Sequence, residues 1–306
     1  MLGLLIATAA AFAITEGLKL TKSPITGLHV LVGQFSPRCG CQHARATISV
    51  SLRQADDVTV DVVSAGRNRV ARLVDNRFTH ARWNAFSWNG RDESGAVARD
   101  GTYRFQVKLA RQHRTILFPN PFRLDTKPPT IVSARALRPT ISPDGDGQSD
   151  STKIQYRLSE PAHAILYVLG RRLTVRRFTR PQNTLTWYGN RTADGGALPP
   201  GTYRLQLGAR DVAGNVTPPS ERATIVVRVR YIALRHRRIV VTAATRFGVG
   251  VDTDARSYEW RLGSRGGRSS AQTLVVRAPA VRGRYRLVLT ENGRSAAALV
   301  IVRPRR

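Results

Sequence analysis

The feature that most constrains this chain is an internal repeat with a constant offset of 106 residues, as from Ser36 to Ser142. Residues 35–63 read FSPRCGCQHARATISVSLRQADDVTVDVV, and residues 141–169 read ISPDGDGQSDSTKIQYRLSEPAHAILYVL. Both copies begin with a turn rich in Pro and Gly and continue with apolar residues at alternate positions. Alternation with period two, bounded by turn residues, is typical of half-buried antiparallel strands. The repeat therefore predicts two sibling β domains.

The second halves of the two copies also repeat. One reads WNGRDESGAVARDGTYRFQVKL and the other WYGNRTADGGALPPGTYRLQLGARDVAGN. We expect both tryptophans to lie in the core, both tyrosine hydroxyls to bond to backbone, and the Asp to cap its own turn. A carbohydrate platform made by the exposed tryptophan faces is the alternative. The residues to which we assign a structural role are Trp88, Gly90, Asp92, Gly101, Tyr103, Trp187, Gly201 and Tyr203.

Two further segments complete the domain organisation. The paired prolines of LDTKPPTIVS, residues 124–133, predict a linker, because proline cannot donate to a sheet ladder. A degenerate third copy is expected in Trp260 and the segment GRYRLVLTENG, residues 283–293. The predicted fold class is all-β, with tandem Ig-like or fibronectin-like β-sandwiches preceded by an N-terminal hydrophobic segment. The expected boundaries are 1–22 for that segment, 23–126 and 127–231 for two sandwiches, and 232–306 for a small basic β domain.

The first 22 residues carry an uncharged apolar run, Leu2–Ile14. This run is shorter than the about 20 residues that a helix needs to cross a bilayer. Ala11-Phe12-Ala13 fits the small-x-small pattern of a signal-peptidase site. We therefore predict a signal peptide or an uncleaved membrane anchor, and an extracytoplasmic location for the rest of the chain, either secreted or anchored. A buried first strand or helix of a cytosolic protein is the alternative.

Three motifs carry a resemblance to known domains. The Trp-Asn-Gly-Arg-Asp and Gly-Thr-Tyr pattern of Trp88–Tyr103 resembles the Ig-like domain of the flagellar hook-capping protein. ISPDGDGQSD resembles the segment that opens similar domains in secreted surface proteins, and DVAGN, Asp211–Asn215, resembles a last-strand motif of bacterial Ig-like repeats. The resemblance covers Ser23–Tyr231, about two thirds of the chain. It implies an Ig-like fold that serves as a spacer, adhesive or accessory module.

The charge of the chain is strongly positive. The net charge is +29, from 44 Arg and 5 Lys against 20 acidic residues, and residues 232–306 hold 16 Arg against four acids. The arginines are scattered and form no block of the kind that marks nucleic-acid tails. We expect an anionic cell-wall polymer, a membrane surface or another envelope protein as partner, and no specific nucleic acid. Arg-rich composition without such a partner is the alternative.

The loop DGDGQSD holds Asp144, Asp146 and Asp150 at positions from which several carboxylate oxygens can surround one Ca²⁺. It lacks the bidentate Glu that closes an EF-hand, because the twelfth position from Asp144 is Gln155. A plain turn, in which the Asp side chains accept backbone N–H groups, is the alternative. Calcium is thus the one cofactor that the sequence suggests, and otherwise we expect none.

The two cysteines, Cys39 and Cys41, align with the Gly145 and Gly147 positions of the second copy. They therefore belong to an opening turn. A zinc site would need two more ligands, and the Cys-x-x-Cys pattern of a redox dithiol is absent. In an oxidising compartment we favour a Cys39–Cys41 disulfide. Free thiols, an intermolecular bridge and a metal site are the alternatives.

No His-Glu-x-x-His, Gly-x-Ser-x-Gly or P-loop pattern occurs in the sequence, and the six His are scattered. We therefore predict a non-enzymatic cell-envelope protein that acts as a structural or recognition module through tandem Ig-like domains. One alternative is an accessory carbohydrate- or wall-polymer-binding protein, which predicts exposed aromatic faces in line. Another is an appendage assembly factor of the flagellar hook type.

Overall fold

The computed structural model describes residues 23–31 and 33–305, and their regular secondary structure is almost entirely β-strand. The one helical turn among them is a 3₁₀ turn at Pro219–Glu221. The predicted segment 1–22 lies outside the described residues. Of the helices in the described part of the chain, none has the length and apolarity to cross a membrane. The predicted all-β fold class is confirmed.

The first sandwich pairs a three-stranded sheet with a larger sheet. In the smaller sheet the strand order is β1-β3-β6, and in the larger it is β2-β9-β7-β4-β5, with β8 also paired to β7. Pro119 and Pro121 separate β8 from β9, because proline cannot donate a ladder hydrogen bond. The strands are β1 Ile25–Val30, β2 Gln34–Phe35, β3 Ala46–Leu52, β4 Asp56–Ser64, β5 Arg69–Thr79, β6 Trp83–Trp88, β7 Gly101–Leu109, β8 Arg114–Leu117 and β9 Phe122–Leu124.

The second sandwich has the same topology without the extra strand. Its sheets have the orders β10-β12-β15 and β11-β17-β16-β13-β14. The motif Asp211–Asn215 lies in the connection between β16 and β17. The strands are β10 Ile131–Ala136, β11 Thr140–Ile141, β12 Thr152–Leu158, β13 His163–Val168, β14 Arg171–Val175, β15 Gln182–Trp187, β16 Gly201–Arg210 and β17 Ala223–Val229.

The third sandwich, which the sequence predicted as a small β domain, repeats this topology in full. Its sheets have the orders β18-β20-β23 and β19-β25-β24-β21-β22. The chain divides into two compact units, one with the described residues up to Lys127 and Val212–Asn215, the other with Pro128–Asp211 and Val216–Arg306. The strands are β18 Ala233–Leu234, β19 Arg238–Thr242, β20 Arg246–Asp252, β21 Tyr258–Leu262, β22 Arg265–Ser269, β23 Thr273–Arg277, β24 Gly283–Glu291 and β25 Arg294–Arg303.

In each sandwich the opening strand divides between the two sheets. Its first part pairs antiparallel within the three-stranded sheet, as β1 does with β3. Its second part pairs parallel with the last strand, as β2 with β9, β11 with β17 and β19 with β25. The chain that joins the two parts therefore passes from one sheet to the other, which closes one side of the sandwich.

The two main strands of each repeat segment, β3 and β4 in the first copy, lie in opposite sheets. β3 pairs with β1 and β6, whereas β4 pairs with β5 and β7. The second copy separates β12 from β13 in the same way. The strands predicted from alternation are thus present, but the two strands of each repeat segment pair with other strands and not with each other.

Alternate side chains of these strands enter one hydrophobic cluster per sandwich. Along β12, buried and exposed positions alternate without a break, and β3 buries the same alternate positions. Each cluster takes side chains from both sheets, as Ile48 of β3 and Val60 of β4 illustrate. Fully burying one such aliphatic side chain contributes about 1.5–3 kcal/mol, so each cluster is the main source of its sandwich's stability.

The two motif tryptophans anchor the hairpin that follows them. Trp88 and Trp187 are 1% and 0% exposed. The Trp88 Nε1 donates to the carbonyl of Arg91 at 2.7 Å, and the Trp187 Nε1 donates to the carbonyl of Asn190 at 2.8 Å. A buried indole N–H needs such a partner, and the hairpin backbone supplies it.

The motif tyrosines make a matching bond in all three sandwiches. The hydroxyl of Tyr103 donates to the carbonyl of Arg99 at 2.5 Å. Tyr203 and Tyr285 bond in the same way to the carbonyl four residues earlier, at 2.7 and 2.9 Å. Each tyrosine follows by two residues the glycine that begins its strand, and its ring lies near that glycine.

The expected equivalence of Trp260 with the motif tryptophans is wrong. Trp88 and Trp187 end β6 and β15, the third strands of the three-stranded sheets. The equivalent strand of the third sandwich is β23, whereas Trp260 lies in the middle of β21, in the five-stranded sheet. The spacing from Trp260 to Tyr285 is also longer, because a whole strand, β22, and β23 lie between them.

Gly90 and Gly189 follow the tryptophans at positions that require glycine. Their φ angles are +76° and +70°. A Cβ at Gly90 would lie 2.9 Å from Cγ of Pro37, and one at Gly189 would lie 2.6 Å from Cγ of Pro143. Each glycine therefore lets the opening turn of its sandwich pack on the tryptophan hairpin.

We expect Gly90→Ala to cost about 2–3 kcal/mol, from the positive φ together with the contact on Pro37. Gly95→Ala is the control, since Gly95 has φ +83° and no atom within 4 Å of the added Cβ. It should cost about 1 kcal/mol. Native-state hydrogen exchange of the β6 and β7 amides measures both losses. Equal losses for the two variants would contradict the packing argument.

Candidate functional site

The opening turns of the first two sandwiches close in the same way. In one, the Ser36 N–H donates to the carbonyl of His43 at 3.0 Å, and in the other, the Ser142 N–H donates to the carbonyl of Ser149 at 3.0 Å. The two bonds are related by the 106-residue offset of the repeat. We call these segments, 36–44 and 142–150, the first and the second opening turn.

The interior of the two turns is held by different chemistry. In the first, Cys39 and Cys41 form a disulfide, with their Sγ atoms 2.16 Å apart. In the second, the Asp150 carboxylate accepts the N–H groups of Gly145 and Gly147 at 2.7 and 2.8 Å. These glycines are the positions that align with the cysteines, so the disulfide stands where the second turn has hydrogen bonds to Asp150.

The second opening turn contributes two carboxylates to a cluster of three. Oxygen atoms of Asp144, Asp146 and Glu291 all lie within 4.8 Å of one another. The sequence had grouped Asp144 and Asp146 with Asp150 as calcium ligands. Both oxygens of Asp150 are engaged by the turn's own backbone, and the third carboxylate of the cluster comes from the third sandwich. Whether the cluster binds a metal is untested, and calcium remains a prediction.

The hairpin between β24 and β25 positions Glu291. Glu291 is the last residue of β24, and Asn292 and Gly293 follow with φ +38° and +78°. Asn-Gly with two positive φ angles makes a tight two-residue hairpin. The Asn292 side-chain amide donates to the carbonyl of Asp144, which holds the hairpin on the second opening turn. Both segments belong to the same compact unit.

Glu291 is almost fully buried and is only half satisfied. Its exposed fraction is 5%. Its Oε2 accepts the hydroxyl of Thr253 at 2.5 Å, whereas Oε1 is buried with no hydrogen-bond partner among the described residues. The pKa of Glu291 is raised to about 7, first by burial and also by the nearby charges of Asp144, Asp254 and Asp146, against the lowering effect of the Thr253 hydroxyl.

Asp144 shares this environment. Burial raises its pKa above the usual value, and the charges of Asp146 and Asp254 act in the same direction. The N–H of Asp146 and the hydroxyl of Ser142 oppose the rise by donating to the Asp144 carboxylate. The cluster is therefore a set of carboxylates that would ionise more readily beside a cation.

Sequence reasoning did not select Glu291, and it interpreted Asp254 only as part of a strand-end turn. Both lie more than a hundred residues beyond the DGDGQSD loop, and neither belongs to a recognisable ligand pattern. One signal was available, since they are two of the four acidic residues in the Arg-rich stretch 232–306.

The tryptophans do not form the row of exposed aromatic faces that the carbohydrate-binding alternative predicts. The faces of Trp88 and Trp187 are packed inside their sandwiches. Trp83 of β6 is 53% exposed and stacks on His29 of β1, with ring centroids 4.9 Å apart. The tryptophan that could stack on a sugar is thus Trp83, which the motif analysis did not select.

The outer face of the five-stranded sheet in the third sandwich is basic. The registers of β19, β25, β24, β21 and β22 place six exposed arginines on this face with one acid, Glu259. Val240 and Leu299, 47% and 38% exposed, lie among them. We call this surface the arginine face, and its arginines are Arg238, Arg261, Arg268, Arg284, Arg286 and Arg303.

Some arginines of the first sandwich differ, because they form ion pairs with acidic side chains. Arg72 pairs with Asp61 at 2.9 Å, and Arg111 pairs with Asp57 at 2.9 Å. Across the described residues 33–305, no ion pair within 4.0 Å is found for any arginine of the arginine face. Their charges therefore repel one another, and a bound anion would relieve that repulsion.

The comparisons with known proteins agree with the fold. Residues 40–113 match the family model of the FlgD Ig-like domain. The resemblance that the Trp88–Tyr103 motif indicated is thus confirmed. No curated protein matches the chain.

Solved structures with a similar fold are distant in sequence. The I-band fragment I67–I69 from titin is 10% identical and covers 94% of this chain and 100% of its own, with a TM-score of 0.32. FlgD from P. aeruginosa is 16% identical and covers 45% of this chain and 90% of its own, with a TM-score of 0.24. PorZ, a surface component of the type-IX secretion system of Porphyromonas gingivalis, is 16% identical and covers 32% of this chain and 11% of its own, with a TM-score of 0.22. The likeness to these three chains is weak in both sequence and structure.

The raised pKa of Glu291 predicts a pH dependence of stability in a chelating buffer. Because the folded pKa lies above the value of 4.5 for a free Glu, the folded state holds the proton more tightly. Stability should then fall as pH rises from about 4.5 to about 7. Glu291→Gln should stabilise the metal-free chain by about 2 kcal/mol at pH 8 and leave it nearly unchanged at pH 4.5.

Thermal unfolding at the two pH values measures this difference. Glu259→Gln is the matched control, since it removes one charge from an exposed position in the same sandwich. A Glu291→Gln variant less stable than the parent at pH 8 would contradict the assigned electrostatics.

Proposed function

We propose that the protein is a non-enzymatic, extracytoplasmic structural and recognition module that binds phosphate-rich anionic surfaces of the cell envelope through its arginine face. The observation that carries the proposal is the set of six exposed, unpaired arginines on one sheet face. The six arginines are spread over all five strands of the sheet, so an extended polymer or a lipid surface can contact more of them than a small ligand can.

The residues that recur between the repeats support a structural role. Trp88, Gly90 and Tyr103 are used in packing one hairpin on its core, and their equivalents do the same in the second sandwich. The match of residues 40–113 to an Ig-like domain points in the same direction, because such domains serve as spacers and binding modules on unrelated proteins. The residues that recur between the repeats thus stabilise the fold.

Two observations support a location outside the cytoplasm. The Cys39–Cys41 disulfide is of a kind that persists in oxidising compartments. The apolar segment Leu2–Ile14 has the composition of an export signal or anchor.

Fractionation of native cells with N-terminal sequencing tests the location. We expect the protein in the envelope or secreted fraction, with no thiol titrating in the denatured, unreduced chain. Quenching the cells with a thiol-blocking reagent before lysis prevents artificial oxidation. A cytosolic chain with two free thiols would overturn the proposed location.

Binding of the full chain to anionic vesicles and to a phosphate-backbone wall polymer tests the arginine face. Replacing Arg284 and Arg286 of β24 by Gln should weaken binding about tenfold or more, since each Arg near an anionic surface contributes about 1 kcal/mol. Added salt should weaken the parent complex more than that of the variant. Vesicles and polymer are separate arms, so the stronger binder identifies the natural class of surface.

Arg246 and Arg256 provide the charge-matched control. Both are exposed in the third sandwich and lie off the arginine face, so their replacement by Gln removes the same charge from elsewhere. Equal losses of binding for the two double variants would show that net charge alone accounts for binding. That result would contradict a specific role of the arginine face. Absence of binding in both arms would contradict the proposed function.

A further inference from the structure

We propose that Asp144, Asp146 and Glu291 together bind one Ca²⁺ ion, which ties the second opening turn to the β24–β25 hairpin. The ion would thereby fix the third sandwich on the second, within one compact unit of the chain. This inference goes beyond the proposed function, because it does not depend on the arginine face or on any anionic partner.

The spacing of the carboxylates fits a shared ion. One oxygen from each of the three side chains lies within 4.8 Å of the other two. Ca²⁺ binds oxygen at about 2.3–2.6 Å, so two oxygens on opposite sides of one ion are separated by about 4.6–5.2 Å. The three side chains can therefore contact one ion with little rearrangement.

The unpartnered oxygen of Glu291 is an independent observation. Its side chain is 95% buried, as the 5% exposure shows, and Oε1 has no hydrogen-bond partner among the described residues. Leaving a buried carboxylate oxygen unsatisfied is costly, more so than for a neutral group. An ion among the carboxylates would supply a partner for this oxygen. A turn held only by its own backbone hydrogen bonds would not.

The charges around the cluster also favour a cation. The adjacent Asp254 adds a fourth carboxylate, and its buried Oδ2 likewise has no hydrogen-bond partner among the described residues. Two basic side chains of this junction are engaged elsewhere, since Arg230 pairs with Asp252 at 2.6 Å and Arg294 stacks on the Tyr231 ring at 4.1 Å. Among the described residues, the four carboxylates form no ion pair within 4.0 Å.

The donor atoms select the kind of ion. All three side chains offer carboxylate oxygen, which suits hard cations rather than zinc or copper. Ca²⁺ accepts an irregular set of ligands in which waters complete the shell, whereas Mg²⁺ demands near-ideal octahedral geometry and gives up its waters reluctantly. Two turn carboxylates from positions two residues apart and one from a separate hairpin form an irregular set. Calcium is therefore the expected ion, with the weak, millimolar to submillimolar affinity typical of extracellular modules.

The Asn292 bond shows what the ion would stabilise. The Asn292 amide already holds the hairpin tip to the Asp144 carbonyl. Repulsion among the ionised carboxylates opposes this contact. Calcium would convert that repulsion into attraction, so the junction should become more protected when calcium is present.

Calcium titration of the full chain, freed of divalent ions with a chelating resin, tests the site. Isothermal titration calorimetry should give one bound Ca²⁺ per chain. Hydrogen exchange of residues 142–150 and 290–295 should slow at least about threefold at saturating calcium. Magnesium at the same concentration should have a much smaller effect. A parent chain that binds no calcium up to 10 mM, or equal protection by the two ions, would overturn the assignment.

Three variants locate the ion. Glu291→Gln and Asp146→Asn should each weaken calcium binding at least about tenfold, while Glu259→Gln should bind as the parent does. Glu291→Gln is nearly isosteric, and we expect it to fold stably without metal. Loss of calcium binding in this variant would therefore reflect a lost ligand and not a misfolded chain. Asp146→Asn independently tests a second proposed ligand, in the second opening turn. Unchanged calcium affinity in both ligand variants would overturn the site, whatever the outcome of the arginine-face experiments.

Discussion

The burial of alternate side chains between a three-stranded sheet and a larger sheet is the interaction on which the rest of this structure depends. Trp88 and Trp187 are the largest of these side chains, and each lies at the end of its strand. A ring of that size can be buried there because its N–H reaches a carbonyl of the following hairpin. The hairpin then requires a glycine, on which the opening turn packs. One hydrophobic contact thus determines the position of two loops.

The opening turns show how the same backbone is stabilised by different chemistry. A disulfide joins Cys39 and Cys41 in the first sandwich, and the Asp150 carboxylate bonds the equivalent N–H groups in the second. Asp144 and Asp146 also accept hydrogen bonds within this turn, and an oxygen of each lies close to the Glu291 carboxylate. The turn that has no disulfide is therefore the one that carries the carboxylate cluster.

The third sandwich separates its charges in space. Six arginines occupy one sheet face, while two of its four acids, Asp254 and Glu291, lie at its junction with the second sandwich. Such a separation gives one molecule two electrostatic surfaces of opposite sign. In the proposed function the basic face contacts the envelope, and in the further inference the acidic junction determines how firmly that face is held.

The sequence by itself determined the strands, the repeat and the role of the motif residues. Alternation and turn chemistry are local, so β3, β12, the tryptophan hairpins and the opening turns could all be predicted from the order of residues. Tertiary structure alone decided which strands pair, because some partners, such as β3 and β6, lie far apart in the chain. For the same reason Trp260 was assigned to the wrong strand, and Glu291, 147 residues beyond Asp144 (291 − 144), could not be grouped with it. A site whose carboxylates come from two sandwiches exists only after both have folded, since no spacing within either segment encodes their contact.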